Sequence, residues 1–484
     1  MEQRPYPVTE SRKSNDNNSP RQRTQSRSIW ITSVVLLSAL ASPDEGLAAG
    51  LSDFVGTWNI ANLSVPSRLT LDRNTNGVVV ALREGNNFEN STGIVVVAPD
   101  GTVSGNTPKP FRANASPGAQ GEVILRPSDG SGRSSIIYQA NASADLMVAS
   151  GSFGDGYQDL TLCLRAPASL ALADVVGSWN IVGIQTPTRL LLLTNQSGQG
   201  TGIDGLAAFA SYTGTLNVQA DGKLIGVSQR PFTGNVLGSG VGTVAVTIAG
   251  GGGGSRAHTL FVNAAKDMMV LLKGSSNPAD ISQELMLFLK TPAGVAPSDP
   301  ASFWRIATFD TPRLTELRTP QGLLVGLSGT EGFGTARQAF TCGHDGFFTA
   351  VGGTSVTGTL TPGSGGVVTA NIQTPDGPSS RGLRINSGQD IMATVSTHEW
   401  GQELMLMTRA PASTGTNGAA REFGMIISRV MSGITVEWAA DVNTVLQTSG
   451  NLRDWRAVPD TIGRHAFTDA ATNTVPTFFR VAQP

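Results

Sequence analysis

The chain repeats itself three times at a period of whole-domain length, and this constrains its fold more than any other feature. Trp58 recurs as Trp179 and Trp304, at intervals of 121 and 125 residues. Arg68 recurs as Arg189 and Arg313, and the turn Asp100-Gly101 as Asp221-Gly222 and Asp345-Gly346. Asn141-x-x-x-Asp145 recurs as Asn263-x-x-x-Asp267 and Asn386-x-x-x-Asp390. The run Gln158-Asp159-Leu160-Thr161-Leu162 recurs as Gln283-Glu284-Leu285-Met286-Leu287 and Gln402-Glu403-Leu404-Met405-Leu406. Landmarks that keep order and spacing mark tandem domains, because solenoid and propeller units are far shorter.

Within a repeat, short apolar or alternating runs are separated by turn residues every 8–12 residues or so, the rhythm of a sandwich or barrel. Repeat 1 offers runs at 55–63, 68–73, 78–83, 94–98, 102–105, 122–126, 134–140, 146–150 and 160–165. Asn76-Gly77 and Asp100-Gly101 predict tight hairpins of type I′, whose two central residues take positive φ. Pro66 either bends one long strand or separates two, giving eight or nine strands. Only an even number puts Trp58 and Arg165 at the same barrel end, since direction reverses at each hairpin. The fold class is therefore all-β: three tandem antiparallel β-barrels of eight or nine strands, then a small C-terminal β-sandwich.

The expected boundaries are a signal peptide and leader at 1–49, barrels at 50–168, 169–294 and 295–412, and a linker and C-terminal module at 413–484. Each repeat holds every landmark strand and is expected to fold alone. Short Ala-Pro joints at 166–169, 291–297 and 410–413 predict barrels strung as beads with limited swing. The glycine run Gly250–Gly254 lacks the Lys-Ser/Thr of a phosphate loop and reads as a hairpin loop. The outer face of Leu285-Met286-Leu287-Phe288-Leu289, apolar on both sides, must meet a neighbouring barrel or a partner chain.

Residues 1–28 are polar with a basic excess, and an apolar run from Ile29 to Leu37 follows. Ala39-Leu40-Ala41 fits an A-x-A cleavage site, with Ala48-Ala49 a second candidate. The expected location is therefore secreted or in the envelope (periplasm or outer surface) of a bacterium, with no stable transmembrane span once the signal is removed. Charged residues make up 14% and the formal net charge is −2, which gives nothing to attract a nucleic-acid backbone. Cys163 and Cys342, the only cysteines, fall in different repeats. Cys342 stands where the sister copies have Val97 and Val218, so both thiols read as small core residues.

Gly56-Thr57-Trp58 and Gly177-Ser178-Trp179, followed by antiparallel strands, resemble the opening of a lipocalin-type (calycin) barrel. Repeat 3 departs from that pattern, with Ser302-Phe303-Trp304. The resemblance implies that a cation at the end of the last strand packs over the Trp. Arg165, Lys290 and Arg409 hold that position. It carries no ligand specificity across. Leu452-Arg453-Asp454-Trp455 and Phe478-Phe479-Arg480-Val481 resemble a short C-terminal module of exported proteins of Verrucomicrobia and related bacteria, which implies an envelope or extracellular protein.

None of the four histidines recurs between repeats or flanks a Gly-x-Ser-x-Gly elbow. Cys342, His344, Asp345, His398 and Glu399 have the ligand types for zinc, with both loops expected at one barrel end. Polar loop residues around a core Cys are the competing reading. Asp72, Asn74, Asn76 and Gly77 match a calcium loop, but position twelve is Arg83, so an ordinary hairpin is expected. The Asn-x-x-x-Asp triplet is either a repeated ligand site or a repeated hairpin turn. No catalytic, cofactor or metal residue is assigned, and no cofactor is expected.

The expected function is that of an exported non-enzymatic surface or extracellular protein whose barrels serve binding or adhesion. Its partner would be an unknown surface partner, a polymer or a small apolar ligand, with self-association also open. A structural or assembly component of the cell envelope is the alternative. A carrier of small apolar ligands or a hydrolase are weaker ones. A barrel cavity above about 300 Å³ would favour a carrier.

Overall fold

The computed structural model describes residues 50–411, apart from several short loop segments, and the strands within 425–482. The expected leader and the linker after residue 412 lie outside the described residues. Three closed eight-stranded antiparallel barrels form, one per repeat. In barrel 1 the first strand, Gly56–Pro66, pairs on one side with Glu89–Val97 and on the other with the last strand, Tyr157–Arg165. Gly177–Pro187 and Ser302–Pro312 do the same in barrels 2 and 3.

The count of eight comes about differently from the sequence expectation. The runs after Pro66 leave the barrel as a separate hairpin, Thr70–Arg73 with Val79–Arg83. A strand absent from the expected set, Lys109–Pro117, enters in their place. Its counterparts are Pro231–Gly240 and Thr357–Pro362. The segment Pro231–Gly240 carries little strand signal, being rich in Gly and polar residues with outward positions that face solvent. It fits a strand through interior contacts alone.

The hairpin turns also differ from type I′. At Asp100-Gly101 only the glycine has positive φ, 83°, and the bonds Ala98 N–Thr102 O and Gly101 N–Ala98 O close the loop. Gly77 is likewise alone in its turn, with φ 76°. This is a three-residue loop ending in a left-handed glycine, in which Asn or Asp accepts from backbone N–H groups. Asn74 Oδ1 does so from Asn76 N and Val78 N, which makes the calcium-like segment a hairpin turn.

Along each first strand, alternate residues point in opposite directions. Trp58 and Ile60 enter the core of barrel 1, Trp179 and Ile181 that of barrel 2, and Trp304 and Ile306 that of barrel 3. The opposite faces are also apolar, and they build a fourth core outside the barrels. Leu63, Leu160 and Leu162 of barrel 1 meet Ile184, Leu285 and Leu287 of barrel 2 and Phe309, Leu404 and Leu406 of barrel 3 there, all almost fully buried. The barrels are thus not beads. They close on one another around a pseudo-threefold axis, and the outer face of the Leu285–Leu289 run meets its neighbours.

The C-terminal strands form two three-stranded sheets. One holds Met425–Val430, Gly433–Trp438 and Ala466–Asp469, and the other Val445–Ser449, Arg456–Ala457 and Phe478–Ala482.

Candidate functional site

The recurrent Asn-x-x-x-Asp segments do make hairpin turns, and all three turns meet at the pseudo-threefold axis. Within each turn the Asn Oδ1 accepts from two backbone N–H groups, as Asn263 does from Asp267 and Met268. The amide nitrogen then joins two carboxylates. Asn141 Nδ2 donates to Asp145 Oδ1 at 2.7 Å and to Asp390 Oδ2 at 2.8 Å. Asn263 Nδ2 donates to Asp267 Oδ1 at 2.8 Å and to Asp145 Oδ2 at 2.9 Å. Asn386 Nδ2 donates to Asp390 Oδ1 at 2.9 Å and to Asp267 Oδ2 at 2.8 Å. The ring closes: barrel 1 to 3, 3 to 2, 2 to 1. Backbone N–H groups of Ser143, Ala265 and Gly388 donate to the same Oδ2 atoms.

All six side chains are at most 4% exposed. Burial, with the two sister carboxylates adding to it and the Asn141 bond opposing it, pushes the Asp145 carboxyl up to about 7. Burial also raises Asp267. Every Asp oxygen in the ring faces at least one N–H donor, and no described group of three His, Cys, Asp or Glu is arranged to hold a metal ion. The chemistry of the ring is that of a clasp between barrels.

A second cycle lies one residue after each Trp. Asn59 Nδ2 donates to Gly242 O of barrel 2, Asn180 Nδ2 to Gly365 O of barrel 3, and Arg305 Nη1 to Ala140 O of barrel 1. At another point on the axis Phe88, Phe209 and Phe333 form a triangle with ring centroids 6.0–6.3 Å apart. The sequence reading missed both sets, although Phe88 and Phe209 recur at the Trp interval of 121. The recurrent glutamines also cross between barrels, Gln158 Nε2 to Phe333 O and Gln283 Nε2 to Ser64 O.

Each barrel is sealed at its Trp end. The register pairs Trp58 with Arg165, Trp179 with Lys290 and Trp304 with Arg409, as the lipocalin-type pattern implied. Trp58 Nε1 donates to Phe54 O and Trp179 Nε1 to Val175 O, both at the end of a one-turn helix. The Lys290 ammonium sits 5.6 Å from the Trp179 ring and donates to Asp174 O. Arg165 instead bonds the carbonyls of Asp53 and Val55. The interior of barrel 2 keeps a cavity of about 20 Å³ lined by Leu216, Phe232, Val244, Leu260, Met269 and Phe288. One water needs about 10–15 Å³ on this measure, and small-molecule pockets run to about 300–1,000 Å³.

The zinc-type residues of repeat 3 do not come together. Cys342 pairs with Ser302 at the start of the first strand, whereas His398 pairs with Gly401, itself opposite Pro312 at that strand's end. Ten strand residues separate the two levels, roughly 30 Å. The reason is the unexpected strand Thr357–Pro362, which adds one reversal between the two loops and sends His398 to the far end. Cys163 and Cys342 are buried free thiols in the cores of barrels 1 and 3, and burial pushes both up to about 12.

The chain matches no protein-family model and no curated protein. Matching solved structures include a double mutant of transferrin binding protein B (TbpB) from Haemophilus parasuis Hp5, with TM-score 0.23 and 12% identity. Intact Ap-TbpB, with N and C lobes, gives the same two values. Isotype 1 TbpB from serogroup B Neisseria meningitidis gives 0.22 and 10%. In each case 73% of this chain and 76% of the other is covered. At such TM-scores the likeness carries no argument about function, which rests on the residues of the chain itself.

Proposed function

We propose that this is an exported, non-enzymatic protein that binds a surface partner or polymer through the outside of a fixed three-barrel block. The observation that carries this reading is where the apolar surface goes. The interior of barrel 2 and the barrel seams are both consumed internally, and the barrel 2 cavity admits about one water. That weighs against a carrier of small apolar ligands. Export rests on the basic leader and the short apolar run from Ile29 to Leu37. Exposed apolar side chains remain on outer strand faces: Ile94 and Val96 on barrel 1, Ile225, Val227 and Leu237 on barrel 2. Such residues on a polar background suit a partner surface.

The test has two readouts. Purified protein is added to intact bacterial cells and to immobilised envelope polysaccharide, and the wild type is compared with Ile225→Lys/Val227→Lys. Retention of the wild type with loss in the variant supports binding. If instead the wild type self-associates by light scattering and the variant is monomeric, the outer face joins copies of the chain, and the envelope-assembly alternative takes over.

A further inference from the structure

Barrel 3 differs from barrel 2 at the end opposite its Trp. In barrel 2, Tyr212 pairs with Gly183, and its ring lies where any larger residue at 183 would collide. Its hydroxyl donates to Glu284, so the tyrosine fills the mouth and satisfies the carboxylate. The corresponding pair in barrel 3 is Thr308 and Ala336. The ring of Tyr212 has become a methyl group, and Thr308 stands in place of Gly183.

Polar side chains at this end face inward by strand alternation. Asp310 shares the parity of Trp304 and Ile306, Glu403 that of Met405 and Met407, Ser396 and His398 that of Met392, and Arg381 that of Leu383, all residues of the barrel 3 core. Asp310, Glu403 and Ser396 lie in register across three strands. Glu403 accepts from Arg381 Nη1 and from Ser396 Oγ. Two atoms in this belt are buried with no hydrogen-bond partner, Asp310 Oδ1 and His398 Nδ1. A buried polar atom without a partner is costly, so such a pair calls for an occupant. Beside them stands Trp400, 40% exposed, its ring 6.3 Å from that of His398.

We propose that the mouth of barrel 3 binds a neutral, hydroxyl-rich ring, a pyranose unit of a glycan, with Trp400 against its apolar face and Asp310 and His398 bonded to its hydroxyls. Burial lifts Asp310 to about 8 and lowers His398. At neutral pH both are uncharged, and each can donate or accept toward a hydroxyl. The charges present, Glu403 and Arg381, are tied to each other, which leaves the site suited to a neutral ligand rather than an ion.

The inference deepens the surface-binding reading, on which its biological use rests, but its test is separate. Full-length protein is titrated with glucose, galactose, mannose and N-acetylglucosamine while tryptophan fluorescence is followed. A saturable change with at least one sugar is expected. It should weaken about tenfold or more, at least ~1.4 kcal/mol, in Trp400→Ala and in Asp310→Asn. Trp400 is exposed, so its variant should keep the wild-type melting temperature. No saturable response to any of the four sugars, or a response unchanged in Trp400→Ala, overturns the proposal. Sugar binding that survives Ile225→Lys/Val227→Lys while cell retention is lost would separate this site from the outer-face surface.

Discussion

At the scale of single residues, the asparagines of the axial ring carry more than their size suggests. Asn263 makes four hydrogen bonds, two to backbone N–H groups of its own turn and two to carboxylates of different barrels. Asn263→Ala leaves Asp145 and Asp267 buried with fewer donors. Leaving a buried acceptor short of its donor costs about 1–3 kcal/mol, and chemical denaturation of the full chain should show the loss. Asp145 adds a pH dependence. Its carboxyl is raised from 3.8 to about 7 in the folded protein, so between those values the folded state binds more protons than the unfolded one. Its contribution to stability is then complete below about 4 and is lost as pH rises through about 7. Melting temperatures from pH 4 to 8 should fall more steeply for the wild type than for Asp145→Asn, and equal slopes would remove Asp145 as the cause. The Trp end is governed by volume. Trp58 is fully buried, and Trp58→Ala should cost about 3–5 kcal/mol through the cavity left behind.

At the scale of elements, the last strand of each barrel is buried on both sides. Leu287 points to the axial core and Phe288 into barrel 2. A charge at Leu287 would enter the meeting point of three barrels, so Leu287→Asp should abolish soluble expression, whereas Val227→Asp on an exposed face should be neutral within about 0.5 kcal/mol. This two-faced strand was readable in the sequence because its signal is composition itself: no polar residue breaks Leu285–Leu289. The Trp–cation register was readable too, since it depends only on an even strand number. Strand identity was not. Thr70–Arg73 and Val79–Arg83 have good strand patterns yet pair only with each other, while Pro231–Gly240 has a poor one yet completes a barrel. Local pattern reports how apolar a segment is, and pairing is decided by the neighbours that close the ring. One misjudged strand reversed the parity of every later loop in the repeat, which is why the loops holding His344 and His398 were expected at one barrel end. The axial ring was half legible. Its turn geometry follows from Asn and Asp side-chain bonding, but its closure needs three barrels placed in space.

At the scale of the whole molecule, the three repeats act as a trimer whose subunits are joined end to end. Each interface is heterologous, with the axial Asn, the residue after the Trp and the recurrent Gln of one barrel meeting different groups on the next. Such an interface closes when the rotation returns after three steps. The third seam, between barrels 3 and 1, also carries Arg305 to Ala140 and Arg337 to Ser150, and burial holds both guanidinium pKa values below the usual arginine range. A repeat cut out of the chain should therefore still hold its barrel core, because Trp179, Phe288 and their neighbours contact one another within residues 169–294. It should not remain monomeric, because Ile184, Leu285, Leu287 and Leu289 would then face water on one side. Burying four such side chains contributes about 1.5–3 kcal/mol each, enough to drive association at micromolar concentration. Residues 169–294 expressed alone should give a β-type circular dichroism spectrum and elute as a trimer or larger species in size-exclusion chromatography with light scattering. The double variant Leu285→Lys/Leu287→Lys should shift that fragment to a monomer with the same spectrum. A wild-type fragment that is monomeric and stably folded would mean that the axial core is dispensable, and that the barrels are joined by their linkers alone.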